Sequence, residues 1–76
     1  MNVKKQLGEK IKRIRRNKNI TQEQLAEMIE ISARNLSGIE LENYFVKAET
    51  LERILKALDI TMEDLFSNDH LKEKMN

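Results

Sequence analysis

Residues 21–40, "TQEQLAEMIEISARNLSGIE", contain two helix starts separated by a short corner. Thr21 stands three residues before Gln24, which is the spacing of a capping box, where each side chain binds the other residue's free backbone amide. Ser32 is a good N-cap for the next helix. Because only about three residues separate the two helices, the stretch predicts a sharp corner of the helix-turn-helix kind.

Apolar residues at helical spacing predict the rest of the fold. A first helix over about residues 2–17 is indicated by the stripe Val3, Leu7, Ile11 and Ile14, and a fourth helix by Leu51, Ile54, Leu55 and Leu58. Thr61 and Asp64 resemble a further cap and start a short fifth helix. From that helix we expect Leu65 and Phe66 to enter the core. In the two central helices the expected buried residues are Leu25, Met28, Ile29, Leu36 and Ile39.

These elements predict an all-α protein, a compact five-helix bundle around a central helix-turn-helix at about residues 21–42. We assign residues 1–66 to this domain and residues 67–76 to a polar C-terminal tail. No proline, low-complexity stretch or internal repeat marks a linker. A chain of 76 residues is near the lower limit at which a domain folds unaided, which favours help from a partner chain.

The composition argues against several classes of function. Cysteine is absent, which removes disulfides, thiolate metal sites and cysteine nucleophiles, and the only histidine, His70, lies in the polar tail. There is no glycine-rich phosphate loop or metal-ligand spacing, so we expect neither an enzyme nor a cofactor. No apolar run approaches the roughly 18 residues of a membrane span, and the N-terminus lacks the apolar block of a signal peptide. We therefore expect a cytoplasmic protein.

Charge is distributed unevenly along the chain. Residues 1–20 hold eight cations and one acid, a net of +7, whereas residues 21–76 hold six cations and twelve acids, a net of −6, and the sum is the formal +1 of the whole chain. This asymmetry indicates one surface that could meet an anion and another that would repel it. A solvated basic helix explains the charge alone equally well.

Two stretches resemble a known family: "IKRIRRNKNITQEQLAEMIEISARNLSGIE" at 11–40 and "ETLERILKALDITMEDLF" at 49–66. They are similar to the Cro and phage-repressor type of helix-turn-helix domain, also called the xenobiotic-response-element family, and the resemblance covers about residues 4–66. It implies that the second helix lies across the backbone of double-stranded DNA while the third helix enters the major groove.

The resemblance assigns DNA contacts to particular residues. Gln22 would bond a phosphate and brace the third helix, the alternative being an ordinary polar residue of a first helical turn. Ser32 would cap the third helix beside the DNA, or serve as a cap only. In the loop after that helix, Tyr44 and Lys47 could reach phosphates, while Val46 and its neighbour Phe45 are expected to enter the core.

Helical geometry selects the outward face of the third helix without help from the family. With Leu36 and Ile39 pointing inward, the outward positions are Ala33, Arg34, Ser37 and Gly38, with Leu41 at the margin. These match the positions with which family members touch bases.

The outward residues differ in what they could read. Arg34 is the candidate base reader, because its planar fork can hold guanine O6 and N7 together, although a phosphate contact or a solvent-facing arginine is as good an interpretation. Asn35 could bond an adenine edge or a phosphate, whereas Ala33 could only contact a thymine methyl group. Gly38 reads no base by hydrogen bond but would allow close approach.

Glu40, at the end of the third helix, would repel phosphate if it faced the DNA. In the family the acid at this position commonly pairs with an arginine near the end of the first helix, which here is Arg15. The resemblance therefore implies a bidentate ion pair shielded under the helix.

The chain departs from the family pattern in the corner and in the loop. Glu30 occupies the corner, where the family usually has glycine and where the residue often needs a positive φ. Glu42 and Val46 stand where the family favours glycine and proline, and Asn43 is the candidate for a left-handed turn one residue later.

These observations predict a sequence-specific DNA-binding transcription regulator of bacterial or phage type, most simply a repressor that binds a palindromic operator as a homodimer. The expected dimer surface involves Met62, Phe66, Leu71 or Met75, unless these residues only complete the core. The rival interpretation is an antitoxin or anti-repressor type of protein-interaction module on the same fold. A basic amphipathic helix lying on a membrane ranks last, because the apolar stripe of residues 3–18 is narrow.

Overall fold

The computed structural model describes residues 3–41 and 46–66, and this part of the chain forms five α-helices. They are α1 (Val3–Asn17), α2 (Gln22–Met28), α3 (Ala33–Glu40), α4 (Ala48–Leu58) and α5 (Met62–Phe66). The predicted all-α fold is confirmed, with α2 and α3 forming the helix-turn-helix. The predictions for Glu42, Asn43, Tyr44, Phe45 and the tail at 67–76 lie outside the described residues.

Both predicted capping boxes are present. The Gln24 amide donates to Thr21 Oγ1 at 3.0 Å, and the Thr21 amide donates to Gln24 Oε1 at 2.8 Å. At the start of α5 the Asp64 amide donates to Thr61 Oγ1 at 3.0 Å, and the Thr61 amide donates to Asp64 Oδ2 at 2.9 Å. Each box satisfies two backbone amides that have no partner inside their helix, so both helix starts are determined locally.

Three connections between helices are built in the same way. Each begins with a non-glycine residue in the left-handed conformation, namely Asn19 (φ 59°), Glu30 (φ 63°) and Asp59 (φ 56°). The amide of this residue donates to the carbonyl three residues before it, and the amide of the next residue donates to the carbonyl five residues before it. This is the hydrogen-bond pattern of a Schellman motif, which satisfies the last carbonyls of the helix. The left-handed φ expected for Glu30 is thus observed.

The same six-residue pattern follows each left-handed residue: isoleucine, then serine or threonine, then three other residues and leucine. Its three copies are "ITQEQL" at 20–25, "ISARNL" at 31–36 and "ITMEDL" at 60–65. The isoleucine packs against the core, the serine or threonine caps the next helix, and the leucine has no exposed surface. An apolar residue before the N-cap with another at the fourth helical position forms a hydrophobic staple, which sets the angle at which the chain enters the helix. The pattern recurs at unequal intervals, so it is a shared way of starting a helix and not an internal repeat of fixed period.

The core of the described residues consists of nine buried apolar side chains: Ile11, Leu25, Ala26, Ile29, Leu36, Ile39, Ile54, Leu58 and Leu65. Leu7, Ile14, Val46, Leu51 and Leu55 are half-buried against it. The predicted stripe of α4 therefore faces inward, as do Leu7, Ile11 and Ile14 of the α1 stripe, while the side chain of Val3 lies outside the described part.

Two predicted core residues are on the surface instead. Met28 is 53% exposed and Phe66 is 56% exposed. On α2 the buried residues are Leu25, Ala26 and Ile29, and at 100° per residue Met28 lies about 100° from the centre of that stripe. Phe66 follows the fully buried Leu65, so the same turn between successive residues carries it away from the core.

Gly8 allows α1 to pack directly on the end of α3. A Cβ atom at Gly8 would lie 2.5 Å from the Ile39 carbonyl oxygen and 3.0 Å from that of Glu40. Both are backbone atoms, which cannot move aside as a flexible side chain can. A side chain at this position would therefore separate the two helices.

We expect Gly8→Ala to lower the free energy of unfolding by about 1–3 kcal/mol through overpacking. Helix propensity alone predicts the opposite sign, a gain of about 1 kcal/mol. Urea denaturation measures the change, with Glu9→Ala at the exposed neighbouring position as the control. A Gly8→Ala protein more stable than wild type would show that the close approach does not constrain the fold.

Candidate nucleic-acid interface

A buried ion pair joins α1 to α3. Arg15 Nε donates to Glu40 Oε2 at 2.8 Å and Arg15 Nη2 donates to Glu40 Oε1 at 3.0 Å, with the two side chains 9% and 1% exposed. A third bond runs from Arg15 Nη1 to the Ile20 carbonyl at 2.8 Å. The guanidinium thus holds the end of α3 and the connection before α2 in one arrangement.

Gln22 extends this arrangement to α2. Its Nε2 donates to Glu40 Oε1 at 3.0 Å, so the first residue of α2 is bonded to the last residue of α3. Within the described residues no buried side-chain nitrogen or oxygen lacks a partner. We call Arg15, Glu40 and Gln22 the helix clamp, because together they fix the angle between the two helices of the helix-turn-helix.

The clamp explains where the negative charge of Glu40 goes. Both carboxylate oxygens accept hydrogen bonds, and the residue is 3% exposed. Its charge is compensated by Arg15 beneath α3 and is not presented on the outer surface. An anion could therefore approach the exposed side of α3 without meeting this carboxylate.

The exposed side of α3 carries three different chemistries in a row. Arg34 is exposed, Ser37 is half-buried, and Leu41, the C-cap, is 58% exposed. At 100° per residue these three positions lie within a stripe about 60° wide. We call Arg34, Ser37 and Leu41 the α3 stripe. Asn35 is also exposed, but lies about 100° from Arg34 around the helix.

Gly38 lies about 40° from Arg34 around the helix, on the expected outward side, but it is buried in the free protein. Without a side chain, a glycine in a helix offers only its backbone at that position. Ala33 is intermediate: it is half-buried and packs against the core, which leaves only part of its methyl group accessible.

The remaining candidate residues are placed as follows. Ser32 Oγ accepts a hydrogen bond from the Asn35 amide at 2.9 Å and caps α3. Lys47 is exposed at the N-cap of α4 and makes no capping bond with its side chain. Tyr44 is outside the described residues.

Three basic residues of α1 share one surface. A shallow depression of about 470 Å³ is lined by Glu9, Lys12, Arg13, Arg16 and Asn17. The exposed side of α2, in contrast, carries Glu23 and Glu27, and Glu30 is exposed in the corner that follows. The uneven charge of the sequence therefore becomes two surfaces of opposite sign. None of the helices in the described part of the chain is both long and apolar enough to cross a membrane.

The profile of a family described as "Helix-turn-helix domain" matches residues 8–70. The match spans the clamp, the α3 stripe and all of the core described above. The chain belongs to the helix-turn-helix family of the Cro and phage-repressor type.

Similar proteins carry names from transcription control. This helix-turn-helix domain is 35% identical over 66 residues to the HTH-type transcriptional activator BcrR of Enterococcus faecalis, covering 87% of this chain and 32% of that protein. It is 35% identical over 65 residues to the immunity repressor protein of Bacillus phage phi105, covering 86% of this chain and 45% of that protein. The chain thus spans less than half of each relative.

A solved structure of comparable size has the same fold. The restriction-modification controller protein C.AhdI of Aeromonas hydrophila superposes with a TM-score of 0.79 at 25% identity, covering 83% of this chain and 96% of that chain.

Sequence reasoning missed two features of the site. The bond between Gln22 and Glu40 joins residues 18 positions apart, and no local pattern signals it. Arg53 of α4 was also missed: its Nη1 donates to the Ile29 carbonyl at 3.3 Å and lies 4.0 Å from Glu30 Oε1, bracing the corner between α2 and α3. A glutamate in a corner that usually holds glycine was the one available signal of a compensating contact.

We expect Glu40→Gln to lower the free energy of unfolding by about 3–5 kcal/mol, because it leaves the buried Arg15 charge without a counter-charge. The matched control is Glu49→Gln, which removes the exposed pair with Arg53 at 3.6 Å and should cost less than about 0.5 kcal/mol. Urea denaturation measures both. The double replacement Arg15→Met with Glu40→Leu should recover most of the loss, since no buried charge then remains. Equal, small losses in the two single variants would contradict a structural role for the clamp.

Proposed function

We propose that this helix-turn-helix domain binds double-stranded DNA with α3 in the major groove, and that it regulates transcription, most simply as a repressor that occludes a promoter. In this docking α2 crosses the phosphate backbone. The proposal rests above all on the helix clamp, which fixes α2 and α3 relative to each other and leaves the α3 stripe exposed.

The clamp matters because base reading depends on orientation. A bidentate contact between an arginine and guanine requires the helix to enter the groove at a defined angle. Bonds from Glu40 to both Arg15 and Gln22 hold that angle before any DNA is present. Little of the binding free energy is then lost in ordering the two helices.

Within this docking each candidate residue has a task. Arg34 would read guanine, and Ser37 and Ala33 would contact base edges beside it. Gln22 retains a second amide hydrogen and its carbonyl oxygen beyond the clamp bond, and would donate to a phosphate across the start of α2. Ser32, Asn35, Tyr44 and Lys47 would complete the phosphate contacts around α3.

Two relatives support the regulatory part of the proposal. One is named a transcriptional activator and the other an immunity repressor, and they match 87% and 86% of this chain. Because occluding a promoter requires only DNA binding, repression is the simplest outcome for a domain of this kind.

Selection of bound duplexes from a random pool tests base reading by Arg34. We expect wild type to enrich a motif with a defined guanine, and Arg34→Ala to lose the enrichment at that position. Arg34→Lys is the matched control, because it keeps the charge but not the planar fork. Loss of the guanine in both variants supports base reading, at about 1–3 kcal/mol of discrimination.

A motif unchanged in both variants, with weaker binding only in Arg34→Ala, would instead place Arg34 on a phosphate.

Affinity measured between 50 and 200 mM salt tests the proposed function itself, since phosphate contacts make DNA binding fall steeply with salt. Absence of salt-dependent duplex binding would favour the protein-interaction module, for which the exposed acids of α2 are the supporting observation.

We further propose that the domain acts as a homodimer on a palindromic operator. One domain of this size buries only about 600–1,000 Å² on DNA, which is little for tight specific binding. Met62 and Phe66 are 44% and 56% exposed and lie one turn apart on α5, where they form an apolar surface suited to a second copy. Half-sites would lie about 34–36 Å apart, one turn of the duplex.

We expect Phe66→Ser to shift the protein from dimer to monomer in equilibrium sedimentation, because it removes the largest apolar group of this surface. Met28→Ser is the matched control, since Met28 is exposed to a similar extent, 53%, but lies on α2. Dimerisation unaffected by Phe66→Ser, or a monomeric wild type at high concentration, would contradict the proposal.

A further inference from the structure

We propose that Leu41 is a specificity-determining residue that contacts the C5-methyl group of a thymine in the major groove. The inference rests on the proposed DNA binding and adds an apolar reading position at the end of α3. A single exposed leucine is ordinary on a protein surface, so the position of Leu41 carries the inference and its exposure alone does not.

Leu41 is the C-cap of α3: the helical residues before it place its Cα atom, although its own ψ is no longer helical. Its amide donates to the Ser37 carbonyl at 2.9 Å, and its φ and ψ are −91° and 3°. The side chain, 58% exposed, therefore continues the register of α3 and projects from the same stripe as Arg34 and Ser37. Whatever occupies the exposed side of α3 meets Leu41 together with Arg34.

The length of α3 permits both ends to contact one groove. Arg34 and Leu41 are seven residues apart, about 10.5 Å along the axis at 1.5 Å per residue. The major groove of B-DNA is about 12 Å wide.

The chemistry of Leu41 selects one partner in the groove. The thymine methyl is the only apolar group in the donor and acceptor pattern that base pairs present there. A leucine side chain held against an amino group or a purine nitrogen would remove water from it without offering a hydrogen bond. The α3 stripe thus predicts a half-site in which the same helix contacts one guanine and one thymine.

Replacing thymine by deoxyuridine removes only the C5-methyl group and keeps the base pair, so it tests the contact with that methyl group. The duplex is the one that wild-type protein selects from a random pool, with each thymine replaced in turn. We expect that, at one thymine in each half-site, the replacement weakens wild-type binding about threefold to fourfold. This factor corresponds to the free energy of burying one apolar carbon. The Leu41→Ala protein should bind the two duplexes equally well.

Two further variants make the comparison specific. Met28→Ala removes an equally exposed apolar side chain from α2 and should keep the full sensitivity to deoxyuridine. Leu41→Met keeps an apolar side chain of similar length and should keep it too. A thymine contacted by Ala33 would remain sensitive in Leu41→Ala, so the two positions are distinguishable.

The inference is overturned if no thymine replacement weakens the wild-type protein, or if Leu41→Ala is as sensitive as wild type at every thymine. Either result, with salt-dependent duplex binding intact, leaves the proposed function standing. Failure of the wild-type protein to bind any selected duplex would instead reject the proposed function.

Discussion

The buried pair of Arg15 and Glu40 is the interaction on which the other features of the site depend. It joins two residues that are 25 positions apart in sequence, and Gln22 and the Ile20 carbonyl add the start of α2 to it. A buried ion pair contributes little net stability compared with an apolar replacement, but it constrains geometry, because its hydrogen bonds form only when the donors and acceptors are aligned. In this domain it determines the angle between α2 and α3.

Around this pair, the helices are connected by one local device used three times. A left-handed residue ends the helix, an isoleucine packs on the core, and a serine or threonine starts the next helix. The isoleucine serves both helices: its amide donates to a carbonyl of the preceding helix, and its side chain is the first residue of the hydrophobic staple of the next helix. Glutamate occupies the left-handed position at residue 30, where Arg53 from α4 bonds the preceding carbonyl.

Charge and burial together determine which surface can face DNA. The acid at the end of α3 does not present its charge to an approaching anion, because Glu40 is buried and paired with Arg15. Arg15 in turn is lost from the accessible positive charge, so the basic surface of α1 is smaller than the sequence suggests. The α3 stripe presents one arginine, one hydroxyl group and one leucine, a short combination of charge, hydrogen bonding and apolar contact.

The sequence by itself determined the helices and their starts, since capping boxes, apolar periodicity and the family pattern act over a few residues. The sequence was less informative about which apolar residues are buried. Met28 and Phe66 are apolar, as core residues are, but the orientation of α2 and α5 places both side chains on the surface. Only the tertiary structure decided that Gly8 must lack a side chain, that Gly38 is covered, and that Gln22 bonds Glu40. These depend on how closely two helices approach, a distance set by the packing of the whole core, which no local sequence pattern encodes.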